Sequence, residues 1–112
     1  EEEKAEKAKV MEACLRDACS VPMDIMRKCC EAIDIIVTFA EKGSKLAISD
    51  AGVGVAFCKA ALQGASLNVF INTKAMKDRD YAEKLNDEAN AMLDKYTVLA
   101  DEIYTSVLKR LK

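Results

Sequence analysis

The chain has 112 residues, a formal net charge of −2 and no histidine. This length fits one domain, and the missing imidazole excludes histidine-based catalytic triads, histidine-ligated zinc and a histidine pH switch. A sequence pI near 5.2 and the absence of tryptophan argue against a nucleic-acid surface. One proline and four glycines in a chain that is 51% hydrophobic predict a helical soluble protein.

The spacing of apolar residues predicts an all-α fold, an antiparallel bundle of about four helices. The first helix opens on alternating Glu and Lys and turns amphipathic only from Val10, so its charged start is interpreted as solvated. The last helix begins after Asp78, a natural cap, and is long enough for its end to project or to pack on a second subunit. The predicted ranges are roughly 2–18, 22–42, 49–72 and 78–111.

Three local signals set the predicted breaks between these helices. Pro22 is favoured in the first turn of a helix, so the second helix is predicted to begin there. Gly43 is predicted to end that helix in a left-handed conformation. A loop over residues 44–48 follows, and Ser49 and Asp50 then offer a cap and a first-turn carboxylate for the third helix.

The third predicted helix carries small residues every four positions. Lys59 is its only charge between Ala51 and Ile71, and polar residues interrupt the apolar run, which favours the central helix of a soluble bundle, buried nearly all round, over a membrane span. Glycine inside a helix needs a reason, and close helix contact is favoured over a ligand. The row is Gly52, Ala56, Ala60, Gly64, Asn68 and Asn72.

Two amides end this row, and both interpretations of them stay open. Asn68 and Asn72 lie among apolar residues, where an amide must find hydrogen-bond partners. They either make an interhelical bond or a cap, or they face a polar heterocycle in a cavity of the bundle.

The five cysteines form no C-x-x-C pair and have no histidine beside them. Metal binding and disulfides are therefore disfavoured, and reduced, buried thiols that fill the core of a cytoplasmic protein are expected. They are Cys14, Cys19, Cys29, Cys30 and Cys58.

Two segments resemble the cyclodeaminase/cyclohydrolase family: Ser49-Asp50-Ala51-Gly52-Val53, and Asn68-Val69-Phe70-Ile71-Asn72 followed by Lys77-Asp78. The family comprises bacterial methenyltetrahydrofolate cyclohydrolases and the cyclodeaminase domain of formiminotransferase-cyclodeaminase. The resemblance covers the chain from about Lys9 onward. It implies the C-terminal portion of a larger helical domain. The start of the chain, without methionine, is also expected of a fragment or a processed chain.

The resemblance further implies a cytoplasmic enzyme of one-carbon metabolism that acts on a tetrahydrofolate derivative and works as a homodimer, without a metal or redox cofactor. The substrate-binding positions it implies are Ser49, Asp50, Asn68 and Asn72. The family's catalytic aspartate belongs to an N-terminal segment that this sequence does not contain. This chain alone is therefore expected to be inactive.

Three functions stay open. The first is hydrolysis of 5,10-methenyltetrahydrofolate to 10-formyltetrahydrofolate, and the second is release of ammonia from 5-formiminotetrahydrofolate. The third, from another class, is a non-catalytic helical module for oligomerisation or partner binding, which the wide apolar faces would suit.

Overall fold

The computed structural model describes residues 1–42 and 45–112, with only the backbone of residues 45 and 46. Over these ranges the chain forms three long helices, α1 (Glu2–Lys42), α2 (Lys45–Ala75) and α3 (Arg79–Leu111). They run up, down and up in a rod of 66 × 18 × 18 Å. The all-α prediction is confirmed, but the number of helices is three and not four.

The predicted break at Pro22 is wrong, because α1 continues through this residue. A proline inside a helix removes one backbone hydrogen bond and costs about 3 kcal/mol. Burial of apolar side chains before and after Pro22 offsets that cost, since Cys19, Met23 and Met26 are almost fully buried on one face of α1. Just before Pro22, the Ser20 hydroxyl donates to the Asp17 carbonyl at 2.7 Å, a local bond within the continuous helix.

The start of the central helix also differs from the prediction. Helix α2 begins at Lys45, so residues 45–48 are helical and Ile48 is buried. Ser49 and Asp50 therefore lie inside the helix and do not cap it. The other end extends to Ala75, beyond the predicted residue 72. The role predicted for Gly43 concerns a position outside the described residues.

The core consists of two clusters along the rod. At the end that holds the α2–α3 turn, Met26 of α1 packs with Leu62 of α2 and Ala89 of α3. At the opposite end, Ile33 packs with Val55 and Val107. All three helices contribute to both clusters. Along the chain, α1 and α3 run from the first cluster to the second, whereas α2 runs from the second to the first, so each helix is antiparallel to the next.

Helix α2 is central in sequence, but the prediction that it is buried nearly all round is wrong. Val55, Leu62 and Val69 are fully buried, whereas Phe57 and Ile71 are at least 70% exposed. Residues Ala47–Ala75 are also long and apolar enough to cross a membrane by length and composition, a test that core helices of soluble proteins pass as well. The apolar character of α2 therefore serves both a core face and an uncovered face.

Two of the three α2 glycines make the close contacts that the sequence predicted. A Cβ on Gly52 would lie 3.0 Å from Val107 Cγ1 of α3, and one on Gly54 would lie 3.1 Å from Ile36 Cδ1 of α1. Around Gly64 a Cβ would meet nothing within 4 Å. The row of small residues thus winds from the interior at Gly52 to the surface at Gly64.

Candidate functional site

Ser49 and Asp50 lie in the second turn of α2, at the end of the rod opposite the α2–α3 turn. Both side chains are exposed. Because the helix begins at Lys45, five residues before Asp50, the amides of its first turn lie away from Asp50. The exposed carboxylate is therefore available to accept a hydrogen bond from a ligand.

Asn68 and Asn72 lie one turn apart near the other end of α2. Asn68 is exposed and Asn72 is half-buried. The Asn72 Nδ2 atom donates to the Asn68 carbonyl of its own helix at 2.8 Å, which is a local bond and not the interhelical bond considered above. This bond fixes the Asn72 amide and leaves the Asn68 amide facing solvent.

One copy of the chain does not bring the four predicted residues together. At about 1.5 Å per residue, Asp50 and Asn68 are about 27 Å apart along the helix axis. Ser49 with Asp50, and Asn68 with Asn72, are thus two separate polar spots in the single chain. A ligand the size of one folate ring system would contact only one of them.

A polar groove that the sequence did not predict lies beside the second spot. It has a volume of about 450 Å³. Thr73 is buried at its base, where the hydroxyl donates to Asn86 Oδ1 at 2.6 Å. The groove offers amide and cationic donors, which suit a ligand with carboxylates or carbonyl groups. It is lined by Phe70, Thr73, Lys74, Arg79, Glu83, Asn86 and Asn90.

Arg79 ties this groove to the end of α2. Its guanidinium donates to the carbonyls of Thr73 at 2.8 Å and Met76 at 3.0 Å, and it contacts Glu83 at 3.3 Å. The Thr73 carbonyl lies in the last turn of α2, where it also accepts from the Met76 N–H at 3.1 Å, and Met76 lies just beyond the helix. A basic residue just beyond a helix end often satisfies carbonyls at this place. That position, one residue after the Asp78 cap, is the signal by which the sequence could have identified Arg79.

The turn between α2 and α3 is held by two side chains of α1. The Glu12 carboxylate accepts from the backbone N–H groups of Lys77 at 2.9 Å and Asp78 at 3.0 Å. Arg16 pairs with Asp78 at 2.7 Å and stacks 4.0 Å from the centre of the Tyr81 ring. Asp78 itself caps α3 by accepting from the Tyr81 N–H at 3.1 Å, as the sequence predicted.

Glu12 is expected to make stability depend on pH. Hydrogen bonds from the Lys77 and Asp78 backbones lower the pKa of Glu12 below its ordinary 4.5. Its ionised form therefore stabilises the fold above about pH 4.5, and this contribution is lost as the pH falls through the lowered pKa. Glu12→Gln should reduce the free energy of unfolding, measured with urea, at about pH 7, and the difference from wild type should shrink at about pH 3.

Glu6→Gln is the matched control, because Glu6 is exposed on the same helix. It should change the urea midpoint little at either pH. A Glu12→Gln effect of equal size at both pH values would show that the carboxylate charge does not matter.

The cysteines are free thiols, and Cys19, Cys29 and Cys30 are buried as predicted. Cys58 is half-buried, and Cys14 is exposed, which corrects the expectation that it fills the core. Burial raises the pKa of the Cys30 thiol to about 11. Across residues 1–42 and 45–112, no group of three or more Cys, Asp or Glu residues is placed to hold a metal ion.

Thiol labelling should separate these environments. In native protein at about pH 8, iodoacetamide is expected to modify Cys14 first and Cys30 slowly, because only an exposed thiol that reaches the thiolate form reacts readily. Mass spectrometry after timed quenching measures each rate. Unfolded protein is the control, in which all five thiols should react. Equal native rates at Cys14 and Cys30 would contradict the burial described above.

Two comparisons place the chain among known proteins. A family model described as formiminotransferase-cyclodeaminase matches residues 1–91. The chain is also 40% identical over 107 residues to a methenyltetrahydrofolate cyclohydrolase of Methylorubrum extorquens. That match covers 96% of this chain and 51% of the relative, so the chain spans about half the length of the relative it matches. The chain belongs to the formiminotransferase-cyclodeaminase family.

Proposed function

We propose that this chain is part of a cytoplasmic enzyme of one-carbon metabolism that hydrolyses 5,10-methenyltetrahydrofolate to 10-formyltetrahydrofolate. The observation that carries the proposal is the 40% identity to a protein named methenyltetrahydrofolate cyclohydrolase, over nearly the whole chain. Because that relative is about twice as long, the helical unit described above is proposed to be the C-terminal part of a larger domain.

The chemistry suits a chain without histidine. The methenyl carbon is bonded to two nitrogens that share a positive charge, so it is already activated toward water. A carboxylate that accepts a proton and amides that orient the substrate can assist this step without a metal or redox cofactor. Ser49 and Asp50 are proposed as the first set of substrate contacts, and Asn68 and Asn72 as the second. Because one chain holds the two sets about 27 Å apart, a site that uses both requires a second copy or the rest of the larger domain.

The cyclodeaminase reaction is the second candidate, because the matching family model carries that activity in its description. It acts on the same type of carbon but releases ammonia. The name of the 40% identical relative favours the cyclohydrolase. One protein preparation assayed with 5,10-methenyltetrahydrofolate and with 5-formiminotetrahydrofolate distinguishes the two.

A homodimer is proposed as the working form, and a non-catalytic partner-binding module is the alternative from another class. Both are favoured by the exposed apolar residues of α2, of which Phe57 is 73% exposed and Leu67 is 69% exposed. The module would bind a protein helix and no folate. Isothermal titration of the longest natural protein that contains this sequence with a folate substrate separates the enzyme from the module, since only the enzyme is expected to give a heat of folate binding.

The site assignment predicts a loss of activity. In the longest natural protein that contains this sequence, Asn68→Ala and Asp50→Ala are each expected to lower kcat/KM for 5,10-methenyltetrahydrofolate at least about tenfold, because each removes a group proposed to contact substrate. Both side chains are exposed, so the fold should persist. Val98→Ala, at an exposed position of α3, is the control.

Unchanged turnover in both variants would refute the site assignment. Absence of folate binding and conversion by the unsubstituted protein would refute the proposed function.

A further inference from the structure

Two contacts between α1 and α2 fix how these antiparallel helices are aligned. The Cys19 thiol of α1 donates to the Val69 carbonyl of α2 at 3.7 Å. Further along α1, Ile36 Cδ1 lies 3.1 Å from the position that a Cβ on Gly54 of α2 would take. Residues between these two contacts can therefore be assigned to levels along the rod, by counting forward in α1 and backward in α2.

Two cysteines lie between these contacts, Cys29 on α1 and Cys58 on α2. Counted from the first contact, the α2 residue level with Cys29 is Lys59, and counted from the second contact it is Ala61. Cys58 lies one to three residues from these positions, which is about 2–5 Å along the helix axis. The two thiols therefore lie at one level of the rod, although no C-x-x-C spacing in the sequence pairs them.

Cys29 and its neighbour Cys30 point toward different helices. Successive residues of a helix are rotated by about 100°, so adjacent side chains do not share a partner. Burial raises the pKa of the Cys29 thiol, and the Cys58 thiol of α2 raises it further. Burial also raises the pKa of the Cys30 thiol, and Lys95 of α3 opposes that rise. Cys29 therefore faces α2 and Cys58, whereas Cys30 faces α3.

This arrangement suits the span of a disulfide. The axes of packed helices are about 8–10 Å apart, and Cα atoms lie about 2.3 Å from each axis. Cα atoms that face each other are then about 3–5 Å apart sideways, and the offset along the axis brings those of Cys29 and Cys58 to about 4–7 Å. Cysteines joined by a disulfide have Cα atoms about 4.4–6.8 Å apart. Gly54, one helical turn before Cys58, allows the close approach that this requires.

The contact between α1 and α2 is also the one that charges do not hold. Among the side chains that the structure describes, Arg27 of α1 pairs with Glu88 of α3 at 2.7 Å, and Lys59 of α2 pairs with Asp101 of α3 at 2.7 Å. No ion pair among these side chains joins α1 to α2. A covalent link here would therefore constrain a contact that is otherwise held by apolar packing.

We propose that Cys29 and Cys58 form a redox modification site, at which a peroxide converts the two free thiols into a disulfide between α1 and α2. Cys58 is half-buried and Cys29 is buried, so the peroxide reaches Cys58 first. This inference goes beyond the proposed function and needs no folate chemistry.

The reaction has two steps. The Cys58 thiolate attacks one oxygen of hydrogen peroxide, the O–O bond breaks, and a sulfenic acid and hydroxide form. The Cys29 thiolate then attacks the sulfenic sulfur, the S–S bond forms, and the sulfur loses a second hydroxide. The two thiol protons convert both hydroxides to water. The two thiols are thus oxidised by two electrons in total, and one peroxide is reduced to two waters.

The disulfide would make this helical unit harder to unfold under oxidising conditions. It closes a loop that contains the connection between α1 and α2, and such a loop restricts the unfolded chain more than the folded one. The reaction is expected to be slower than oxidation of exposed Cys14, because burial raises the pKa of both Cys29 and Cys58.

Peptide mapping tests the link directly. The longest natural protein that contains this sequence carries Cys14→Ala, which removes the exposed thiol, and is treated with hydrogen peroxide while native. Remaining thiols are blocked with N-ethylmaleimide, and trypsin is added without reductant. The peptide of residues 29–42 holds Cys29 and Cys30, and that of residues 46–59 holds Cys58. Mass spectrometry is expected to find the two joined, with two hydrogen atoms lost, and separate after dithiothreitol.

Cys30→Ala is the matched control for Cys29→Ala, because both replace a buried thiol in the same turn of α1. Cys29→Ala and Cys58→Ala should each abolish the link, whereas Cys30→Ala should keep it. Far-UV circular dichroism checks that all variants are equally helical. A link that survives in Cys29→Ala, or that is lost in Cys30→Ala, would overturn the assigned pair.

Urea unfolding tests the consequence. The peroxide-treated Cys14→Ala protein is expected to unfold at a higher urea concentration than the same protein after dithiothreitol, and Cys58→Ala should remove this difference. Non-reducing gel electrophoresis shows whether the link lies within one molecule. Peroxide that leaves both thiols free, that oxidises Cys58 without joining it to Cys29, or that links only separate molecules would overturn the proposal. None of these outcomes bears on the proposed function.

Discussion

Ile33→Ala is expected to lower the free energy of unfolding by about 2–5 kcal/mol. Ile33 is fully buried, and it packs with Ile48 and Val55 of α2 and with Val107 of α3. Truncation removes apolar contacts with two helices at once and leaves a cavity that three long helices cannot easily close. Urea denaturation followed by circular dichroism, at one fixed protein concentration, measures the change.

Ile35→Ala, two residues further along α1, is the control. Ile35 is 69% exposed, so the same chemical change should alter stability by no more than about 0.5 kcal/mol. Similar losses at both positions would mean that α1 is rotated relative to its described orientation. A loss only at Ile35 would contradict the fold.

Gly52→Leu is expected to cost about 1–3 kcal/mol, because a larger side chain must displace its neighbour. Even a Cβ there would lie 3.0 Å from Val107 Cγ1, and Gly52 is buried. The same urea measurement reports the loss. It should appear together with weaker packing of the last turns of α3.

Gly64→Ala is the matched control for this helix. Its Cβ would enter open space, so only the higher helix propensity of alanine remains, worth up to about 1 kcal/mol in favour of folding. The two substitutions should therefore have opposite signs. If Gly52→Leu stabilised the protein, the close approach of α2 and α3 at Gly52 would be refuted.

Local sequence signals predicted the structure where the deciding interaction is itself local. Asp78 caps α3 through a bond to Tyr81, three residues ahead, and that contact needs nothing from the rest of the chain. The break predicted at Pro22 failed because burial of residues on both sides of the proline outweighs a local preference.

For the candidate site, too, the sequence indicated individual residues, and only the structure showed their arrangement. The resemblance implies Ser49, Asp50, Asn68 and Asn72 as candidate substrate-binding residues, and this stays a prediction. It did not reveal that the two pairs lie far apart on one helix. The cap role given to Ser49 and Asp50 failed because α2 starts earlier, where Ile48 is buried in the core. The Thr73–Asn86 pair was missed, because it forms only once α2 and α3 lie side by side, whereas the contacts of Arg79 are local and its position after the Asp78 cap was an overlooked signal.

By itself, the sequence determined the helical class, the cap at Asp78 and the family to which the chain belongs, since periodicity, capping and motif are properties of neighbouring residues. Only the tertiary structure decided which faces of α2 are covered. The sequence does not distinguish an apolar residue that faces the core from one that faces solvent. Leu62 is buried and Phe57 is exposed because different surroundings lie beside them. The position of the neighbouring helices decides that difference, since α1 and α3 cover Leu62 and leave Phe57 exposed.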